Sequence, residues 1–471
     1  MFVRTVGGAA AAAGMGVFSG CGSLRRRPNF VFILVDDMGW RDAGFMGSRY
    51  YETPNMDRLA AEGAVFTSAY ANAPNCAPSR ASLLTGLYPP RHGIYTVKPS
   101  ARGRSRDRAL IPIETESVLD PSFTTIAEVL KEHGYRTASM GKWHLGDDPE
   151  SGPVSQGFDI NVGGYRKGHP NSYFSPYKNP AMKDGPNGEY LTDRLTDEAV
   201  RFIQENRDRP FFLYLPHYAV HTPLQAKAAM EKKYENKAPD SGQDNPAYAA
   251  MVESTDRGLG RILDTLDGLA LTDDTVVIFF SDNGGLQGVT DNTPLRGGKG
   301  MLYEGGIRVP MVMRCPGHIP AGKRCDAPVI GTDFFPTILE LAGIPSRIER
   351  NLDGRSIVEL LSGSHRLKRD AVFWHFPAYL EGNQRTAAGA RDPLFRTRPA
   401  GAVRSGDWKL IEFFEDGSLE LYNIREDISE TRELSGKYPE KTAALHRLLK
   451  DWRNRTAAPV PVQPNPDFEK R

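Results

Sequence analysis

Four short apolar runs in this chain each stop at residues that carry charge or bind ions. Residues 30–35 run into Asp36 and Asp37, and residues 275–280 into Ser281, Asp282, Asn283 and two glycines. Residues 211–215 lead to His217 and His221, and the weaker run 135–140 leads to Gly141, Lys142, Trp143 and His144. Runs this short, rich in Val, Ile and Phe, read as buried strands. Helical patterns lie between them, over 56–62, 122–133, 192–206 and 245–269. Strand and helix in alternation predict an α/β fold: a large mixed, mostly parallel sheet flanked by helices. In such sheets ligands bind at the carboxyl ends of the strands. Asp and Asn are also common turn residues after a strand. Four strands delivering Asp, Asn, Lys and His to the same edge nevertheless predict one shared site.

The pattern changes near residue 360. Short strands are expected over 371–376, 402–403, 408–414 and 418–422, with turns at Ser405-Gly406-Asp407 and Glu415-Asp416-Gly417. A helix over 438–452 and a Pro-rich tail follow. This predicts a smaller C-terminal subdomain, an antiparallel sheet plus a helix. The expected division is residues 1–27 as an export segment, 28–360 as a catalytic domain, 370–455 as the small α+β subdomain and 456–471 as a tail. A length of 471 residues suits two units better than one core. Segments 97–117 and 165–190 are long, polar and interrupted by Gly and Pro, as loops rimming a pocket would be. Arg166, His169 and Tyr173 in the second loop either touch a substrate or are plain surface residues.

The 59 basic and 58 acidic residues nearly cancel, which argues against a nucleic-acid-binding protein. The N-terminus has one early arginine, Arg4, then a small apolar run to Phe18, and predicts export. Phe18-Ser19-Gly20-Cys21 resembles a bacterial lipoprotein cleavage box, with Cys21 as a possible lipid anchor; the expected location is the periplasm or cell surface of a bacterium. Phe2-Val3-Arg4 before the Gly/Ala run also resembles the tail of a twin-arginine signal, without its paired arginines. Four cysteines do not make a disulfide framework. Cys315 and Cys325 either pair or stay thiols. Cys76 has no cysteine near it in sequence.

Pro74 and Pro78 frame a turn at Cys76, and Ser79 is a candidate cap for a helix starting at Arg80. Cys76 then sits at a helix N-terminus, where the dipole and free amides favour anions, with Arg80 about a turn away. Such a thiol is a plausible nucleophile. The run CAPSRASLLTG resembles the signature CxPSRxxLLTG of the formylglycine-dependent, arylsulfatase-type sulfatases of the alkaline phosphatase superfamily. The resemblance implies that Cys76 is oxidised to formylglycine by a maturing enzyme and hydrated to a gem-diol. One hydroxyl attacks sulfur, and the second then expels sulfate.

Asp36, Asp37, Asp282 and Asn283 are hard oxygen donors that suit calcium, then magnesium or manganese, rather than zinc. In sulfatases the matching positions bind calcium beside the modified residue, which adds Cys76 to the metal surroundings. The stretch from Gly134 to His144 resembles a second sulfatase signature, with Met140 bulkier than usual. It implies that Lys142 binds sulfate and that His144 hydrogen-bonds the gem-diol and takes a proton. His221, in the His-Thr-Pro context, fits the general acid for the leaving oxygen, with His217 as its rival. Lys299, in the glycine-rich loop 295–300, matches the second sulfate-binding lysine, and residues 303–310 (YEGGIRVP) also resemble the family.

The resemblance spans about residues 28–450 and implies hydrolysis of sulfate esters of a small molecule or sulfated glycan. A phosphonate monoester or phosphodiester hydrolase of the same superfamily is the alternative. A non-catalytic carbohydrate-binding relative is a more distant one.

Overall fold

The computed structural model describes residues 27–315, 317, 319–345, 352–362, 364 and 366–470. Cys21 and the rest of the expected export segment up to residue 26 lie outside the described residues. In chain order the first strands are β1 (Asn29–Val35), β2 (Ala64–Phe66), β3 (Ala69–Tyr70), β4 (Arg136–Met140) and β5 (Ile160–Val162). There follow β6 (Phe211–Pro216), β7 (Thr275–Ser281), β8 (Met311–Arg314), β9 (Lys323–Cys325) and β10 (Val329–Ile330). The C-terminal unit adds β11 (Val372–Phe376), β12 (Leu380–Glu381), β13 (Phe395–Thr397), β14 (Ala400–Ser405), β15 (Trp408–Phe413) and β16 (Leu419–Asn423).

The main sheet has eight strands in the order β5-β4-β6-β1-β7-β8-β2-β9. Its pairs are parallel except those that β8 makes with β7 and β2. All seven residues of β1 are buried. Its period of two splits them: Val31, Ile33 and Val35 join one core cluster, and Phe30, Phe32 and Leu34 the other. The first face is covered by the Leu191–Glu205 and Pro246–Gly268 helices, through Leu195, Phe202, Leu259 and Ile262. The opposite face packs the Cys76–Thr85, Ile126–Glu132 and Phe334–Leu341 helices, through Leu83, Ile126, Leu130 and Ile338. With helices on both faces, the sheet needs near-continuous apolar strands, which is the pattern the sequence shows. β1 is paired in parallel by β6 on one side and β7 on the other, so its carboxyl end lies mid-edge of the sheet, at the end of the strands where such folds bind ligands.

The C-terminal unit is a four-stranded antiparallel sheet, β11-β14-β15-β16, backed by the Pro439–Thr456 helix. Trp374, Leu410, Leu421, Leu445, Leu449 and Trp452 share its core. Polar contacts fasten it to the main domain. Lys409 Nζ lies 3.0 Å from Glu304 and 2.9 Å from Glu430, and Arg308 Nε donates to Glu304 at 2.7 Å. Trp374 Nε1 donates to the Ala71 carbonyl at 2.8 Å. The stretch Tyr303–Pro310 therefore carries part of the junction between the units. The tail beyond the helix is pinned to the loop before β4: Ile111 N donates to Gln463 O, and Asn465 N to Ala109 O, both at 2.9 Å.

Two local expectations are corrected, and one open alternative is decided. The helix expected over 122–133 begins at Ile126, because Thr125 and Glu128 close a capping box there. Ser79 is not a cap: the helix starts at Cys76, and the Ser79 hydroxyl donates to Ala73 O at 3.0 Å from inside the first turns. Cys315 and Cys325 form no disulfide. They flank opposite ends of β2, offset by about four residues, roughly 13 Å along the strand, which no disulfide spans.

Candidate active site

The carboxyl ends of β1, β4, β6 and β7 converge, as the alternation predicts. Asp36 and Asp37 follow β1, and Asp282 and Asn283 follow β7; all four are buried. Oxygens of Asp36, Asp37 and Asp282 lie within 4.8 Å of one another. Asp37 and His144 have φ of 63° and 66°, a region sparsely used by residues other than glycine. Such conformations cost on the order of 1–3 kcal/mol each and collect at functional sites. Gly141 makes the turn after β4 possible. Its φ is +131°, and a Cβ there would lie 2.0 Å from Pro216 O, so only glycine brings Lys142 and His144 this close to β6.

Cys76 is the first residue of its helix and is buried. Burial pushes its thiol up, against the pull of Lys142 and Lys299. The unmodified thiol is therefore not a ready thiolate. Arg80, one turn on, is fully buried and bonds to groups at the strand ends beside the thiol. Its Nε and Nη2 lie 2.9 and 2.8 Å from Asp282, and its Nη1 donates to Lys142 O at 2.8 Å. Arg80 thus ties the Cys76–Thr85 helix to the ends of β7 and β4.

Lys142 Nζ donates to Asp36 at 2.5 Å, and Lys299 Nζ to Asp37 at 2.7 Å. Lys299 Nζ also stands 4.0 Å from Cys76 Sγ. Burial opposes the Asp37 carboxylate, yet Lys299, His221 and Lys142 outweigh it and hold Asp37 well below the usual range. Asp36 is pushed up to about 8 by burial and by Asp282 and Asp37, against Lys142 and Arg80.

His221 Nε2 lies 3.7 Å from Asp37, and its Nδ1 lies 2.6 Å from the Thr222 carbonyl. A carbonyl only accepts, so Nδ1 carries the proton and Nε2 is the bare nitrogen. Burial, reinforced by Lys299, lowers His221 to about 3. His144 is held well below its ordinary value by burial and by Lys142 and Arg80, and its Nδ1 has no hydrogen-bond partner. His217 is buried away from the cavity and continues the ladder, its N donating to Leu34 O at 2.8 Å. Of the two rivals, His221 is the one that reaches the cavity.

That cavity, about 350 Å³, opens on Cys76, His144, His221 and Lys299. Both predicted loops rim it, through Val97 and Arg102 and through Lys167 and His169. Tyr173 does not: it is buried, and its hydroxyl donates to Tyr218 O at 2.6 Å and His221 O at 2.8 Å. It braces the segment carrying His221. Arg166 pairs with Asp147. Sequence reading did not single out Arg102 or Arg396, which also line the cavity; neither belongs to a recognisable motif.

The carboxylate cluster passes a simple test for a cation. Asp36 Oδ1 and Asn283 Oδ1 are buried without any hydrogen-bond partner, a costly state unless an ion takes them. The Asn283 amide now turns Nδ2 to Asp37 at 2.8 Å, and a half-turn would present its oxygen. Carboxylate and amide oxygens fit a hard divalent ion. Asp36, Cys76 and His221 form a second group with ligand atoms within 4.8 Å, so Cys76 borders the same centre.

A nucleophile position set among fixed cations and next to a buried acidic cluster belongs to a hydrolase of anionic esters. Family comparison makes this specific. The sulfatase model matches residues 28–344, and the model for the C-terminal part of N-sulphoglucosamine sulphohydrolase matches residues 298–455. The chain belongs to the sulfatase family and is a sulfuric ester hydrolase. A sulfatase of Formosa agariphila is 33% identical over 93% of this chain and 90% of its own. The human N-acetylgalactosamine-6-sulfatase is 36% identical over 76% of this chain and 70% of its own. Among solved structures, Ps i-CgsB in complex with k-i-k-neocarrahexaose superposes with a TM-score of 0.75 at 32% identity, covering 91% of this chain and 93% of that one.

Proposed function

We propose that the chain hydrolyses sulfate esters of sulfated carbohydrate through formylglycine made from Cys76 by a maturing enzyme, with calcium as the assisting ion. The observation that carries this reading is the position of Cys76, at a helix N-terminus 4.0 Å from Lys299 in a cavity that His144 and His221 share. The names of relatives support the substrate class: one is an N-acetylgalactosamine-6-sulfatase, and a similar structure holds a neocarrahexaose. Export, with Cys21 as lipid anchor, is part of the proposal on the strength of residues 1–26 alone.

Asp36, Asp37, Asp282 and Asn283 would hold the calcium ion, which would polarise a sulfate oxygen. The hydrated aldehyde would supply the attacking hydroxyl. Charge balance explains why both are wanted. With all three carboxylates ionised, as a bound cation would hold them, they balance Arg80, Lys142 and Lys299 and leave the cluster close to neutral. A divalent ion would leave about two positive charges for a transferring group that is itself more negative in the transition state. Lys299, already within reach of position 76, would bind a sulfate oxygen, and Lys142 would join it. Arg80 acts through Asp282 and is a positioning residue. His144, its Nδ1 unpartnered, would take the proton of the remaining hydroxyl as sulfate departs. His221 would protonate the leaving oxygen from Nε2, after a proton taken up there in the presence of the anionic substrate.

Inorganic sulfate release would be measured from sulfated mono- and oligosaccharides, an aryl sulfate and a phosphonate monoester. Protein co-produced with a maturing enzyme would be compared with Cys76→Ala and with chelator-treated protein. We expect sulfate release that is lost in Cys76→Ala and restored after chelation by calcium better than by magnesium. Turnover of the phosphonate alone would instead favour the phosphonate hydrolase.

A further inference from the structure

We infer that the cleft before Cys76 contains a second anion subsite, formed by Arg102, Lys167 and Arg396, for another acidic group on the same substrate molecule. The inference rests on the sulfatase reading and narrows its substrate to a sugar carrying two negative groups. The cavity is lined by four formal cations, these three and Lys299, and by no carboxylate. Lys299 is committed to Asp37. Among the described residues the other three bond only neutral acceptors. Arg102 donates to Val97 O and Lys98 O at 3.2 and 3.3 Å, Lys167 to Asn171, and Arg396 Nε to the Glu381 carbonyl at 3.1 Å.

Acids are available nearby but are used otherwise. Arg398, two residues from Arg396, pairs with Asp392 and with Glu415. Arg396 is turned instead into the cleft, its stem lying over Gly300, where a Cβ would come 3.3 Å from Arg396 Cδ. Arg396 is half-buried and, among the described residues, has no ion-pair partner within contact; burial and the neighbouring Arg102 pull it below its ordinary range, against Glu381 and Asp37 at longer reach. The adjoining cavity beyond His144, about 600 Å³, contrasts with this: Lys98 and Arg166 there face Glu116, Asp147 and Glu150. Of these two cavities, only the one that holds position 76 is lined by cations and no carboxylate.

One sulfate ester carries one negative charge, which on the proposed reading Lys142, Lys299 and an ion held by the carboxylates would already meet. The three further cations come from three separate segments: the loop after Tyr95, the loop after β5, and the β12–β13 hairpin of the C-terminal unit. Their convergence suits a second sulfate ester or a carboxylate, which a guanidinium fork binds with two parallel hydrogen bonds. The cavities next to the cleft share Val97 and His144 on one side and Lys167 on the other, so the second group has room on the same ring or on a neighbouring one.

The test is calorimetric binding to the full Cys76→Ala chain with calcium, which reports the subsite without turnover. The probes are N-acetylgalactosamine 6-sulfate, its 4,6-disulfate, and the 6-sulfate joined to glucuronate. We expect at least one doubly charged probe to bind on the order of tenfold tighter than the monosulfate, and the probe that gains distinguishes sulfate from carboxylate. Lys167→Gln, at the rim, and Arg396→Gln, checked for folding by its melt, should each shrink that margin while leaving monosulfate affinity within about twofold. Equal affinity for all probes, no binding of any, or equal weakening of all by the variants would overturn the subsite. Sulfate release by mature wild-type protein is measured in parallel; its failure would sink the sulfatase mechanism while the binding result still judged the subsite.

Discussion

At the scale of single residues, Cys76, His144, His221, Asp36 and Asp37 are pushed away from their ordinary protonation. The Cys76 thiol is raised by burial, which makes it a poor nucleophile as it stands and would give the proposed modification a chemical purpose. His221 is lowered to about 3 by burial and Lys299. It can act as an acid only where bound negative charge restores its affinity for a proton. A prediction follows from the leaving group. Loss of a general acid costs roughly 10²–10⁴-fold when the departing oxygen needs a proton. His221→Ala should therefore lose about that much kcat on a sugar sulfate and far less on 4-nitrophenyl sulfate, whose phenolate leaves unaided. Equal losses on the two substrates would assign His221 to sulfate binding instead.

At the scale of elements, the Cys76–Thr85 helix sets the geometry. Four residues, about one turn, separate Cys76 from Arg80, so one buried helix presents the nucleophile to the cavity and a guanidinium to Asp282 and Lys142 O. Arg80→Met leaves the Asp282 carboxylate buried without its partner. Breaking such a pair costs about 3–5 kcal/mol. In chelator-treated protein the urea midpoint should fall accordingly, and added calcium should recover part of the loss by supplying the missing positive charge. Arg80→Lys should rescue little, since an ammonium does not reproduce the planar fork that spans two strand ends. A midpoint unchanged in Arg80→Met would show that the pair contributes nothing net.

At the scale of the whole molecule, the C-terminal unit is part of the cleft. It is locked on by Lys409 between Glu304 and Glu430, and it sends Arg396 over Gly300 toward the reactive cysteine. Its stability has a pH signature. His375, buried in β11, donates to or accepts from nothing at Nδ1 and is lowered by burial to about 4 from an ordinary 6.5. Its contribution is complete above pH 6.5 and is lost as pH falls toward 4, because the unfolded chain takes up the proton first. Buried carboxylates whose pKa is raised, such as Asp36 and Asp256 at about 8 and about 6, act in the opposite direction. The readout is therefore the difference between wild type and His375→Gln in urea melts from pH 7 to pH 4. Wild type should lose up to about 3 kcal/mol relative to the variant. Parallel curves would show that His375 titrates normally.

The sequence by itself determined the α/β class, the ends of β1, β4, β6 and β7, and the identity of the reactive cluster. Those features are local: an apolar run of period two must be buried on both faces, and the polar residues that end it must collect at one edge. The signature around Cys76 and the residues after each strand lie within a few positions of one another, so spacing alone displays them. The short strands β2, β8 and β9 were not legible, since three or four residues carry too little periodicity to separate from loop. Nor was the true start of the nucleophile helix, which the backbone chose over the Ser79 cap. Only the tertiary structure decided that Arg80 pairs with Asp282, that Tyr173 is a buried brace, and that Arg396 enters the cleft from some three hundred residues away in the chain. Each of those depends on which distant groups share a low-dielectric space, and that is settled by packing, not by neighbours in sequence.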